Sequence, residues 1–317
     1  MDIGIQTKGI VPAHGIENGF AQIAAVGFQR VDINIDLFLK NNEVYSGNKG
    51  NGFFDSSLED LVLYFQQYVV AMEKYGIRPS QMHAPYPVWV PGKPQMTEYM
   101  HATVIPKSIV IAEALQVPWM VIHPFKMQFL SDKSPEEERR RNIEYFKVLV
   151  PLLKQCNVKV CLENLYENYA NRLVEGTCAN PKEVLYYLDE LNTYAGEELF
   201  GICLDTGHLQ LVHRDPYDYI TQLGSHLKIL HLHENEGVND LHHMPFTFGR
   251  RAGEGQDWQR IFEALAKIDF DGTISFETFP CVSSFPRGCE EEVLRTIYQI
   301  GCYFKDEIDK EKEKCLA

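Results

Sequence analysis

The sequence has no uninterrupted apolar run near the ~18 residues that a membrane-spanning helix needs. Its first residues, Met1-Asp2-Ile3-Gly4-Ile5, lack the basic and then apolar stretches of a secretory leader, so none is expected. No Cys-x-x-Cys pair occurs among the eight cysteines, which are loosely spaced. Cys161 and Cys203 lie inside apolar runs, where a free thiol behaves as a small hydrophobe. This argues against a disulfide framework and for a reducing, cytoplasmic setting. Basic residues are also short: 30 Lys and Arg face 44 Asp and Glu, a formal net charge of -14. Such a surface repels a polyphosphate backbone, so no nucleic-acid partner is expected. A glycine-rich nucleotide signature is missing too. Gly27 and Gly47-Asn48-Lys49-Gly50 fit neither GxGxxG nor a P-loop.

What is present is a regular alternation of short apolar runs and helical patterns. The strand-like runs are Asp2–Thr7, Arg30–Ile35, Arg78–His83, Trp119–His123, Val158–Asn164, Gly201–Asp205, Lys228–His233 and Thr273–Glu277. Their length and β-branching favour strands. Between them, Ile16, Phe20, Ile23 and Ala24 share a helical face. Ser57 with Asp60 forms a capping box before Leu61. Ser134-Pro135-Glu136-Glu137-Glu138 supplies a cap, an N1 proline and acids at the positive end of a helix dipole. Pro181, Pro216 and Trp258 mark three further helix starts, and Glu290 to Lys310 supplies the last helix. Eight βα units in series predict an α/β fold, a (β/α)8 barrel, by the right-handed crossover rule. A barrel uses about 250 residues plus loops, so one domain over residues 1–317 is expected. It would end in a C-terminal helix and charged tail over about 288–317. Two stretches, Asn41–Phe54 and Glu234–Gly255, read as long loops of the kind that hold substrate. The apolar stretch Pro87-Val88-Trp89-Val90 is a candidate for contact between copies in a homo-oligomer.

Four consecutive runs end in a candidate metal ligand: Glu163, Asp205, His233 and Glu277. In a parallel barrel the C-terminal strand ends share one mouth, so four ligands there converge. Acids gathered at one mouth repel one another unless a cation sits among them. Carboxylates with imidazole and no thiolate suit one divalent ion, Mn2+ first, with Co2+, Mg2+ or Zn2+ as alternatives. His208 follows Asp205 by three residues and can reach the same mouth. His231 lies two before His233, on the same strand face, and is expected to pack below the ion that His233 binds. His83 and His123 end two strands of the opposite half and are candidates for a second ion or for substrate hydroxyls. Tyr86, Trp89, Phe125, Tyr166, Tyr169, Phe246 and Phe248 are candidates to stack on a ligand.

The strings HAPY (83–86), HP (123–124), LEN (162–164), LDTGH (204–208), HLHEN (231–235), GEG followed by Trp258, and DGTISFET (271–278) occur in this order at barrel spacing. Together they resemble the xylose-isomerase-like TIM-barrel superfamily, which includes sugar phosphate isomerase/epimerases, ketose 3-epimerases and endonuclease IV. The resemblance covers about residues 2–300. It implies a metal-dependent sugar or polyol isomerase/epimerase, with Glu163 and Glu277 as an acid/base pair beside a polarised carbonyl. His208 would contact a substrate oxygen. Arg250 is the nearest match to an arginine preceding the Gly-x-Gly segment, and Lys126, Arg250 and Arg251 are candidates for a substrate phosphate. His242 joins the substrate-facing set from the second long loop. His83, His123, Glu163, Asp205, His208, His233, Asp240, His242 and Glu277 also resemble the trinuclear zinc set of endonuclease IV. Against that, Asn164-Leu165-Tyr166 follows Glu163 in place of a Thr/Gly-rich turn. Lyase, dehydratase or C-glycoside-cleaving chemistry on the same scaffold, or a sugar- or partner-binding barrel, are the remaining readings.

Overall fold

The computed structural model describes residues 1–127, 134–249 and 255–316. Its strands in chain order are β1 (Ile3–Gln6), β2 (Arg30–Asn34), β3 (Arg78–His83), β4 (Trp119–Val121), β5 (Lys159–Glu163), β6 (Tyr166–Tyr169), β7 (Arg172–Glu175), β8 (Phe200–Asp205), β9 (Leu227–His231) and β10 (Ile274–Phe276). Eight of them form one parallel sheet in the order β10-β1-β2-β3-β4-β5-β8-β9. The two ends of that order meet just beyond β9. Leu232 bridges Phe276 in parallel, donating to Ser275 O at 2.9 Å and accepting from Glu277 N at 3.1 Å. The molecule is a (β/α)8 barrel with helices between its strands.

All eight expected strands are present, most of them a residue or two shorter. The addition is the antiparallel hairpin β6–β7, paired from Tyr166↔Glu175 to Tyr169↔Arg172. It follows Glu163 and Asn164 closely in the chain. Asn41–Phe54 is not an open loop. Asn41–Ser46 is helical, and its first turn closes when Lys40 N donates to the Glu43 carboxylate at 2.9 Å. In the Pro87–Val90 stretch, Val88 and Val90 are buried, while Pro87 and Trp89 are partly exposed.

Inward-pointing residues of β4, β5, β8 and β9 plug the barrel. Val121, Cys161, Cys203 and Ile229 pack as a small apolar cluster with Trp119 beside it. Side chains alternate along a strand, so Glu163, Asp205 and His231 stand on the same inner face two residues above Cys161, Cys203 and Ile229. The other inner half is polar: Gln6 pairs in register with Asp32, and Asp32 with Gln81.

Candidate active site at the barrel mouth

Glu163 is the last residue of β5 and is buried. Its Oε2 lies 3.1 Å from His123 Nε2, 3.4 Å from His83 Nε2 and 3.7 Å from His231 Nδ1. Its Oε1 lies 3.4 Å from His208 Nδ1. Burial pushes the Glu163 carboxyl up, but the surrounding imidazoles of His123, His231 and His83 outweigh it and hold the group well below the carboxylate range.

Asp205 ends β8 and does two things. Its Oδ1 accepts from His208 N at 2.7 Å, capping the helix Thr206–Leu211. Its Oδ2 faces His233 Nε2 at 2.9 Å. The neighbouring backbone is clamped by Asn164, whose side chain accepts from Asp205 N at 2.8 Å and donates to Asp205 O at 2.9 Å. That bidentate bond between β5 and β8 fixes the two carboxylates relative to each other.

His231 and His233 take different places at the mouth. The register aligns Asp205 with His231, so His231 is level with the carboxylates. Its Nδ1 lies 3.1 Å from Glu277 Oε2 as well as 3.7 Å from Glu163. His233 approaches Asp205 and stacks on His242, with ring centroids 4.0 Å apart. Thr206 holds the His233 backbone on both sides, donating to its carbonyl at 2.9 Å and accepting from its N–H at 3.1 Å. His231 is therefore the imidazole flanked by both glutamates, and His233 supports Asp205. Spacing alone cannot separate them, because residues i and i+2 share a strand face.

The second long loop delivers Asp240 and His242. Asp240 Oδ2 sits between His208 Nε2 at 3.2 Å and His242 Nε2 at 3.4 Å. His242 Nδ1 reaches Glu277 O at 3.1 Å. Burial lowers the His208 and His242 pKa values, but the facing carboxylates raise them on balance, to about 10 and about 9. The same loop is tied down by an antiparallel bridge between Glu234 and His243.

Glu163, His208, Asp240, His242 and Glu277 open into a cavity of about 300 Å³, lined also by Tyr86, Trp89, Phe125, Lys126 and Tyr166, with Asp205, His231 and His233 behind them. Tyr86 stacks on His123 at 4.3 Å. The other expected aromatics serve elsewhere: Tyr169 is exposed on the hairpin, Phe246 packs on Trp258 and Phe304, and Phe248 packs on His243. Lys126 donates to Tyr166 O at 3.1 Å. Arg250 and Arg251 lie outside the described residues.

Residues 20–295 match the xylose isomerase-like TIM barrel family. The chain belongs to that family. A curated relative, the uncharacterized protein y4fM of Sinorhizobium fredii (strain NBRC 101917 / NGR234), is 27% identical over 173 residues, 53% of this chain. The match spans about half, 49%, of that relative's length. Among solved structures, an L-ribulose 3-epimerase aligns with a TM-score of 0.68 at 12% identity, covering 100% of this chain and 98% of its own. A D-tagatose 3-epimerase-like protein aligns at 0.67 and 17% identity, covering 98% and 99%. The IOLI protein with a bound zinc atom aligns at 0.64 and 16% identity, covering 98% and 99%. At these identities the likeness is one of fold.

The donor set of this family member suits a divalent ion. Glu163 Oε2, both ring nitrogens of His231 and Nδ1 of His233 are buried without a hydrogen-bond partner. Unpartnered buried atoms are costly, and a cation among them would satisfy several at once. Asp205, His231 and Glu277 offer ligand atoms within 4.8 Å of one another, as do Glu163, Asp205 and His208. Cys203 also approaches Glu163 and His231. Burial pushes its thiol far up, so it remains protonated and is a poor ligand.

Asp32 and the clamping role of Asn164 were not singled out from the sequence. A signal for Asp32 exists: it is a carboxylate inside the apolar run Val31-Asp32-Ile33.

Proposed function

We propose that the chain is a divalent-metal-dependent isomerase or epimerase acting on a sugar or polyol. The observation that carries this reading is the flanking of one imidazole, His231, by two buried carboxylates, Glu163 and Glu277, under a cavity of sugar size. The solved sugar epimerases with this fold support the substrate class, and the zinc atom in IOLI supports the metal.

Glu163, Asp205, His231 and Glu277 would hold the ion, in place of the set with His233 that spacing suggested. Mn2+ remains the first choice for three carboxylates and one imidazole. When bound, the ion would polarise a substrate carbonyl and acidify the adjacent C–H. Glu163 would remove that proton, and Glu277, after taking one from a substrate hydroxyl or solvent, would return one from the other side; the reverse direction exchanges their roles. His208 is oriented by Asn164 O, 2.8 Å from its Nδ1, and by Asp240 Oδ2, 3.2 Å from its Nε2, and a substrate oxygen would share that Nε2 edge with Asp240. His83 and His123 bracket Glu163 and contact hydroxyls. Tyr86, Trp89 and Phe125 cover the apolar ring face and limit water.

The test is Glu163→Gln and Glu277→Gln, each assayed with a panel of ketoses and inosose-like polyols in D2O. Both variants should lose turnover and solvent-deuterium uptake by at least about 100-fold, the usual scale for acid/base removal, with unchanged circular dichroism. Near-normal deuterium uptake in either would refute the acid/base assignment.

A second reading rests on a separate observation. His83, His123 and Glu163 form one three-ligand group, and Asp240 lies between His208 and His242. These are places for further ions, as a trinuclear phosphodiester-cleaving centre requires. Three Zn2+ per chain together with cleavage of abasic DNA would establish it. A single ion and no cleavage would exclude it.

A further inference from the structure

A fully buried carboxylate inside a barrel needs a physical reason, because barrel interiors are filled mainly by branched apolar side chains. Asp32 on β2 is such a group, with no exposed surface. It takes no part in the acid/base chemistry above. Its Oδ2 accepts from Gln81 Nε2 at 3.3 Å and lies 3.3 Å from His231 Nε2. Gln81 also donates to Leu230 O at 3.4 Å, next to His231 in the chain. On the opposite edge of the same ring, Nδ1 faces Glu277 and Glu163. His231 is itself only 1% exposed, and no other carboxylate among the described residues lies within ion-pair distance of Nε2.

We infer that Asp32 is the positioning residue of the metal centre: its Oδ2, at ion-pair distance from Nε2, is placed to take the Nε2–H of His231, so that Nδ1 carries the lone pair toward the carboxylates. This rests on the proposed function, since it assumes that His231 is a ligand. The logic is general. A ligating imidazole is oriented, and made a better donor, when its other nitrogen donates to a carboxylate. Two features of this chain match. The three strands β1, β2 and β3 present Gln6, Asp32 and Gln81 side by side in register, so the polar floor is confined to the half of the barrel across from the apolar plug. The floor also meets His231 from below, on the side away from the cavity. Asp32 therefore acts through His231 and not on substrate.

The experiment is a titration of metal-free protein with Co2+ alone, followed by the visible absorption of the bound ion. Wild type, Asp32→Asn and Asp32→Leu are compared, with His233→Gln as a neighbouring control. The expected result is a 10- to 100-fold weaker affinity for Asp32→Leu, about the range for loss of an orienting partner, and a changed absorption envelope. Asp32→Asn keeps an acceptor for Nε2–H but loses the charge. It should fall between wild type and Asp32→Leu in affinity while retaining the wild-type envelope. A merely structural role would lower thermal stability in both variants and leave the affinity and envelope of the folded fraction unchanged; that outcome overturns the inference. Failure of wild type to bind Co2+ would instead overturn the metal reading itself, so the two failures are distinguishable. Equal affinity in all three Asp32 forms, with the His233 control weakened, would return the ligand role to His233 and also refute the inference.

Discussion

At the scale of single residues, the wall of the mouth around Asp205 and His233 is tightly packed. Gly207, in the Asp205-Thr-Gly-His208 turn, shows why the motif needs its glycine. A Cβ built there would overlap the His233 ring and the Asn235 side-chain amide. Neither can move freely: His233 is hydrogen-bonded at its backbone and ring, and Asn235 accepts from Leu241 N at 2.7 Å. Gly207→Ala should therefore destabilise the chain by about 1–3 kcal/mol, the usual cost of overpacking. Denaturant unfolding would measure it, and a midpoint equal to wild type would show that the His233 shelf is softer than this packing implies. The residue scale is also where sequence reading was least reliable. It recovered Glu163, Asp205 and Glu277 as a convergent set because each ends an apolar run, and His208 because it follows Asp205 by three residues. It could not separate His231 from His233 because parity is the same for both, and only the pairing with Asp205 shows which is level with that carboxylate. Asp32 was missed because a lone acid in a strand carries no partner information until the barrel closes.

At the scale of elements, local signals were strong at several helix starts. Ser57 accepts from Asp60 N at 3.1 Å, and its hydroxyl donates to the Asp60 carboxylate at 2.7 Å. Pro135, Pro181 and Pro216 occupy first turns, each behind a side-chain cap from Ser134, Asn180 or Asp215. Ser57→Ala should cost about 1 kcal/mol without altering the denaturant slope. A loss far larger, or a changed slope, would mean that the helix Leu58–Tyr75 docks cooperatively with more of the fold than its cap alone. The β6–β7 hairpin was not legible, because Tyr166-Glu-Asn-Tyr and Arg172-Leu-Val-Glu are too short and too polar to stand out from a turn. Strand ends were overextended for a related reason. Leu232 and His233 continue the apolar alternation, yet the assigned strand stops at His231, and beyond it Leu232 only bridges across to Phe276.

At the scale of the whole molecule, the barrel explains why residues drawn from most of the chain, His83 to Glu277, meet in one mouth. That convergence was legible because parallel strand ends share one face, and the count of eight alternating units made closure the natural outcome. The closure itself depends on Leu232 and Phe276, a pairing no local pattern announces. No helix among the described residues is long and apolar enough to cross a membrane. The acidic balance of -14 coexists with a mouth that gathers Glu163, Asp205, Asp240 and Glu277, and such a mouth attracts cations before it attracts anything else. The most direct test of the account is the divalent metal content of protein purified without chelator, read by elemental mass spectrometry alongside Asp205→Asn and His231→Gln. The account predicts a single divalent ion per chain in the wild type, lost or strongly depleted in both variants. Wild-type protein that carries no ion, and takes up none on titration with Mn2+, Co2+ or Zn2+, would contradict it.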